Sequence, residues 1–369
     1  MKSITRKYAE FGALCLLALA ILWWFGRKLD WHEVRQAVRH ANPYLLGLAV
    51  LVISLAYVFR AARWGALLAP LCPAGLRNLY IATTVGFGAV FLLGRTGEVV
   101  RPVVLPMLDP KIRPSASFVT IIVERIYDMI AVVLLFAVNL LWFHPPNAGV
   151  EFGRVRTAGI VLLLVALAGV FGLTQFRKQS QGAIGWVRKK LEGRRFVPAR
   201  LTRAILSVLE QLAGALRVLV NARELAVTVG WSAMIWSTIA LANLLVFRAF
   251  GLPFGVTQTI FVLGWSLVGS LVPTPGGAAG AFHAATAAGL ISLGVQRDTA
   301  AAISIVLHIV DFGPALIFGV YYIIRGDINL SRLRARTSSE SVEHAVEDEP
   351  ILTDEIFAQT DLKTLAARD

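Results

Sequence analysis

Cysteine is nearly absent, two residues in 369. Cys15 lies in an apolar run and Cys72 in a connecting segment, so no disulfide framework is expected. The chain has no CxxC, no HExxH and no clustered His/Cys set, which removes the usual sequence signatures of a metal site. It also lacks a nucleotide-binding motif, so no process driven by nucleotide hydrolysis is expected of it. Charge is sparse at 16% of residues, against 56% hydrophobic, a balance that excludes an ordinary soluble domain. The net charge of +13 comes with no recognisable nucleic-acid module, and nucleic acid is not an expected partner. No cofactor is expected either.

What the chain does have is long apolar runs. Several approach the roughly 20 residues needed to cross a bilayer core. Candidate spans are 8–26, 43–59, 118–141, 158–175, 225–247 and 303–324. The basic start and apolar centre of the N-terminus resemble a signal peptide. Trp23, Trp24 and Phe25, however, stand where small residues would precede a cleavage site, so an uncleaved first span ending in an aromatic belt is expected. The other tryptophans outside residues 59–64 also read as belt residues.

Two further regions, 79–108 and 257–295, are apolar but broken by Gly and Pro. Segment 176–224 carries eleven Lys/Arg and three Glu, which marks it as cytoplasmic. Parity then puts loop 27–42 outside, although it holds four basic residues, and puts both termini and loops 60–78 and 109–117 inside. Region 79–108 starts and finishes on the cytoplasmic side, and 257–295 starts and finishes outside. Each is two short spans or a re-entrant hairpin. Two broken segments entering from opposite faces are the pattern of an inverted repeat with a central site. The expected fold is an all-α polytopic membrane protein with about six full spans plus two broken or re-entrant hairpins, in the plasma (inner) membrane.

The expected membrane domain covers 1–325 and includes the basic segment 176–224. There Leu201, Ile205, Val208, Leu212, Leu216 and Leu219 recur at steps of three and four, as on an amphipathic surface helix. Residues 326–369 form the expected cytoplasmic tail. From Thr337 onward it holds nine acidic and two basic residues, leaving 34 Lys/Arg and 14 Asp/Glu in the rest of the chain. Such a polar acidic segment is expected to be largely disordered.

Ionisable residues inside apolar segments cost about 2.5–3.5 kcal/mol each on insertion scales, so they require a reason. In ERIYD, Glu124 and Asp128 share one helix face, with Arg125 beside them. This set can pair with arginines to hold helices together, or form a polar site for a headgroup or proton; one arrangement can do both. GRTGEVVRP, residues 94–102, supplies Arg95, Glu98 and Arg101 among helix breakers. It reads as the polar tip of a hairpin lining an internal cavity, since non-helical backbone survives at membrane depth only where protein or water satisfies it, or else as an ordinary basic cytoplasmic loop. Arginine can grip phosphate bidentately, which makes an anionic lipid headgroup the expected partner.

The second broken region turns at Pro273, Pro275, Gly276, Gly277 and Gly280. A helix is expected to follow, with backbone N–H groups that could face an anion. His283 lies in its first turns, as a packing residue or a proton carrier. His308 and Asp311 are three apart on one face, and Asp311 is near mid-span. Arg60 and Arg63 of FRAARW, residues 59–64, read as snorkelling anchors at the cytoplasmic end of the second span.

FRAARW, GRTGEVVRP, ERIYD and PTPGG, in that order, resemble the family named after the transmembrane region of lysylphosphatidylglycerol synthases, also called flippase-like domain proteins. The resemblance covers residues 8–325. It implies an integral lipid-handling module. In bifunctional members, such a module moves an aminoacylated phospholipid after a soluble domain has made it; other relatives are linked to glycolipid, hopanoid or cardiolipin pathways. It further implies that Arg95, Glu98, Arg101, Glu124, Arg125 and Asp128 form the polar core. Two departures stand out. Phe282 and His283 occupy the place where the family usually has a glutamate after the PGG turn, and the 33 residues after Arg336 leave no room for a synthetase domain.

The leading expectation is a lipid translocase handling a phospholipid or glycolipid headgroup. Its alternative is an accessory or transferase component of lipid or glycolipid biosynthesis, with a lipid-synthesis enzyme as partner.

Overall fold

A computed structural model describes residues 19–27, 29–143 and 222–328, with position 16 and scattered short stretches between 153 and 172. Candidate span 158–175 is described only at scattered helical positions; the amphipathic segment 201–219 and the acidic tail lie outside the described residues, as does most of the start of the first span, whose residues 19–26 are helical. The described elements are helices and turns. They are α1 (Trp31–His40), α2 (Pro43–Leu68), α3 (Leu76–Leu93), a 3-10 turn (Gly94–Val99), α4 (Val100–Leu108), α5 (Pro114–Trp142), α6 (Ala222–Ala249), α7 (Val256–Gly269), α8 (Ala281–Ser292) and α9 (Arg297–Ile324). Among the described residues, four stretches are long and apolar enough to cross a membrane: Pro43–Leu68, Leu76–Leu93, Leu225–Ala249 and Arg297–Ile324. At 29 residues and 1.5 Å per residue, α5 is about 43 Å long, and the charges of ERIYD lie in its middle.

Local chemistry sets the helix starts. Asp30 caps α1 by accepting the N–H groups of His32 (2.8 Å) and Glu33 (3.4 Å). Asn42 caps α2 in the same way for Tyr44 and Leu45, and Pro43 follows where no backbone donor is needed. Helix α1 corrects the reading of 27–42 as a plain loop. Its Val34 packs with Leu29 against Ala301 and Ala302 of α9.

The connections sort onto two ends as parity requires. At one end Asp30 N–H donates to Asp298, Asn42 N–H to the Ala249 carbonyl and the Asn139 amide to the Thr257 carbonyl. At the other, Arg77 pairs with Asp327 at 3.0 Å, and Ile112 shares a core with Ile328.

Both broken regions fold back on themselves. The first joins the 18-residue α3, about 27 Å long, to the nine-residue α4. Pro102 lies in the first turn of α4, where its missing N–H costs little. The second joins α7 and α8, of 14 and 12 residues. Each is too short for a ~30 Å hydrocarbon core. Close backbone approach holds these pieces together: a Cβ on Gly86 would meet Arg101 Cβ at 2.5 Å, and one on Gly269 would meet the Ala281 carbonyl at 2.6 Å. Helices α3 and α9 cross through Gly88 against Ala315 and Gly319 against Thr84, the small-residue contact typical of membrane helices.

The two hairpins meet at their tips, where Gly94 lies against the backbone of Thr274 and Pro275. The expected tryptophan belt is realised only in part. Trp23 and Trp24 are exposed, whereas Trp236 is buried in the core and Trp265 packs on Gly289, because their helices sit inside the bundle.

Candidate functional site

The largest departure from the sequence reading concerns FRAARW. Helix α2 runs nine residues past position 59, so Arg60 and Arg63 belong to the bundle interior and are not interfacial anchors. Arg63 is 0% exposed. Its Nη1 donates to Asp128 Oδ1 at 2.7 Å and to Ser232 Oγ of α6 at 3.1 Å, and its Nη2 stands 3.5 Å from Glu124 Oε1. Carboxylates on another helix replace the lipid headgroups that a snorkelling arginine would seek.

Glu124 is the hub. Its Oε1 also accepts from Arg101 Nη1 at 2.6 Å and lies 3.6 Å from Arg125 Nη2. Arg125 completes a weaker contact to Asp128 Oδ2 at 4.0 Å. The Arg101 guanidinium rests 4.2 Å above the Trp64 ring, and the indole N–H is fixed by Thr120 Oγ1 at 3.0 Å. Arg60, Arg101 and Arg125 all lie over the ring of Phe87, at 4.9, 5.8 and 5.9 Å from its centroid. Among the described residues, Arg60 has no salt-bridge partner.

The cluster is thus over-supplied with cation. Four arginines face two carboxylates, and several donors remain unused: Arg63 Nε, Arg101 Nε and Nη2, and Arg125 Nε are buried without a hydrogen-bond partner among the described residues. A buried charged donor left unpaired is expensive. An anion bringing three or four acceptor oxygens would satisfy this set.

Trp64→Phe tests how the platform is held. The ring under Arg101 remains while the bond to Thr120 is lost, so stability should fall by about 1 kcal/mol, read as a lower melting temperature in detergent, with lipid movement within twofold of wild type. Loss of movement at unchanged melting would mean that the indole itself touches the ligand.

A second polar group sits at the other hairpin. Gly280 N–H donates to His283 Nδ1 at 3.4 Å, His283 Nε2 lies 3.1 Å from His308 Nδ1, and His308 Nε2 lies 3.1 Å from the Gly277 carbonyl. With an amide donor at one end and a carbonyl acceptor at the other, a single tautomer of each neutral ring completes the chain. Of the backbone N–H groups at the start of α8, that of Gly280 is thus taken by His283. Gly276 (φ 76°) and Gly277 (φ 61°) form the left-handed backbone of the turn. His308 is wrapped by Phe282, Phe91 and Phe312 at 4.9, 5.5 and 5.2 Å.

Of the site residues read from sequence, the structure gathers Arg101, Glu124, Arg125 and Asp128. Glu98 is half-buried and makes no ion pair among the described residues, and the Arg95 side chain lies outside them. Gly276, Gly277 and His283 belong to the second group. Asp311 lies between the two groups: its carbonyl accepts from the Tyr57 hydroxyl at 2.6 Å, and Tyr57 meets Phe87 edge-on at 5.5 Å. Sequence reasoning missed the roles of Arg60, Arg63, Trp64, Phe87 and Ser232. The i, i+3 spacing of Arg60 and Arg63, opposite to an i, i+4 acidic pair, was the available signal.

These features define a helical integral membrane protein with a charged centre beside the first of two broken hairpins. The chain matches the lysylphosphatidylglycerol synthase TM region family over residues 13–319 and belongs to that family, a membrane-protein family tied to lipid modification or transport. A UPF0104 membrane protein of Pyrococcus horikoshii is 22% identical to it over 332 residues, which cover 85% of this chain and 96% of that protein. No solved structure matches the chain.

Proposed function

We propose that the protein is a lipid translocase whose arginine cluster receives the phosphate of an anionic phospholipid headgroup. The observation that carries this reading is the surplus of buried guanidinium donors around Phe87 and Trp64. Arg60, Arg101 and Arg125 supply donors to phosphate oxygens. Glu124 and Asp128 hold Arg63 and Arg101 in place, and so preorganise the site at the expense of some of its charge. Family membership supports lipid as the source of the phosphate, and the two broken hairpins supply polar backbone along which a headgroup can move. The basic segment 176–224 supports placing the Arg77–Asp327 end in the cytoplasm of a plasma (inner) membrane protein.

The test is transbilayer movement of fluorescent phosphatidylglycerol in proteoliposomes, read by headgroup accessibility. Wild type should exceed protein-free vesicles. Arg101→Ala should lower its rate about 10–100-fold, the equivalent of one charge-assisted hydrogen bond of about 1.5–3 kcal/mol, and Arg101→Lys should fall between, since it keeps charge without the planar fork. A wild-type rate equal to that of empty vesicles, or an unchanged Arg101→Ala rate with the protein folded, would refute the proposal.

A further inference from the structure

The translocase reading leaves one buried acid unused. Asp311 stands halfway along the 28 residues of α9, and its Oδ1 is buried without a hydrogen-bond partner among the described residues. Arg60 is the cation whose charge reaches it. Among the described residues Arg60 in turn lacks a salt-bridge partner, though Asp128, Arg63, Tyr57 and Arg125 also act on it. Tyr57 links the two, donating to the Asp311 carbonyl and lying edge-on to the same Phe87 ring that supports Arg60.

Among the described residues, the other helices packed on α9 bring no charge to that level. On α3, Tyr80 sits beside Phe318 and Tyr322, about two turns further along α9. On α8, His283 is tied to His308. The ionisable residues of α6 lie at its ends, and α1 meets α9 near Asp298. Three residues beyond Asp311, Pro314 removes the backbone donor that the Val310 carbonyl would use, a place where a helix bends.

We propose that Asp311 is a proton-binding acid coupled to anion binding at Arg60. Without an anion in the cluster, the Asp311 carboxylate balances Arg60. When a phosphate takes that position, two anions would share one cation in a medium of low dielectric, and Asp311 takes up one proton from water to become the neutral acid. The step is a proton transfer with no other bond made or broken. It gives an ion-gradient source for lipid movement in a chain without a nucleotide motif. It rests on the reading of the arginine cluster as a phosphate site, and adds to it.

Calorimetric titration of the purified full-length chain with dihexanoylphosphatidylglycerol, in buffers of differing ionisation enthalpy, counts the protons. A phosphodiester keeps its single charge across the range, so protons taken up belong to the protein. Inorganic phosphate, run in parallel, separates a headgroup site from a general phosphate site. Wild type should take up about one proton per lipid at alkaline pH, and its Kd should rise about tenfold per pH unit there. Asp311→Asn should bind with no uptake and a flat pH profile, while Asp327→Asn, the acid of the Arg77 pair, should behave as wild type. Wild-type binding without proton uptake overturns the coupling and leaves the phosphate site standing, whatever the folding of the variant. Uptake retained in Asp311→Asn assigns the proton elsewhere and overturns it too. No wild-type binding of lipid at any pH overturns the phosphate site and the coupling together.

Discussion

Arg63→Ala should be the most damaging single substitution in the protein. It takes the 2.7 Å donor from Asp128, leaving that carboxylate only the 4.0 Å contact to Arg125, and removes the donor to Ser232, while Glu124 keeps Arg101. Breaking a buried ion pair by removing one partner costs about 3–5 kcal/mol, because the remaining charge has no compensation. The variant should insert into the membrane but melt far below wild type and lose lipid movement. The double variant Arg63→Met, Asp128→Leu separates two roles. Replacing a buried pair with apolar groups is often neutral for stability, so this variant should recover much of the melting temperature without recovering movement. Recovery of both would reduce the pair to a structural fastening. Full stability of Arg63→Ala alone would contradict the burial on which the site is built.

Gly94→Ala should come second. Gly94 has φ 66° and ψ −150°, a region of backbone space that is essentially reserved for glycine, and a residue with a Cβ pays about 1–3 kcal/mol to remain there. The methyl group would also stand 2.8 Å from the Thr274 carbonyl, on the tip of the opposite hairpin. Neither side of this contact is a flexible side chain, so the clash can be relieved only by parting the two tips. Movement of lipid should change severely, with a loss of at least 1 kcal/mol in stability. The measurement is the same vesicle assay beside a thermal melt. Gly75→Ala, at a position with nothing within 4 Å of the added methyl, should leave both readouts near wild type.

Much of the architecture was legible in the chain because hydropathy is a local property. Apolar runs of 17 or more residues marked most of the long helices, and Gly and Pro marked the places where the two hairpins turn. The acidic half of the site was legible for the same reason, since Glu124 and Asp128 interrupt an apolar stretch and share a face. Arg101 and Arg125 were legible too, but Arg60 and Arg63 were hidden by the rule that ends a span at its first arginine. That rule assumes lipid or water around the charge, whereas the partners of Arg63 lie 61, 65 and 169 residues further along, beyond any local pattern. Phe87 was invisible because a phenylalanine supporting three guanidinium groups looks, in sequence, like any other apolar residue. His308 was seen to share a face with Asp311, but its actual partner is His283, brought to it by the fold-back of α8. Helix α1 was missed although DWHE, residues 30–33, carries a recognisable capping pattern.

The distance between Arg63 and its partners also matters during synthesis. Helix α2 leaves the ribosome and meets the translocon before Asp128 has been made, and well before Ser232. It therefore has to partition into lipid with two uncompensated cations, Arg60 and Arg63, at a cost of about 2.5–3.5 kcal/mol each on insertion scales. The rest of the segment can carry that cost, with a mean hydropathy of 2.2 over its best window. The later arrival of α5 converts a liability of insertion into a fixed point of assembly, so biogenesis of this protein has an order that its finished structure no longer displays.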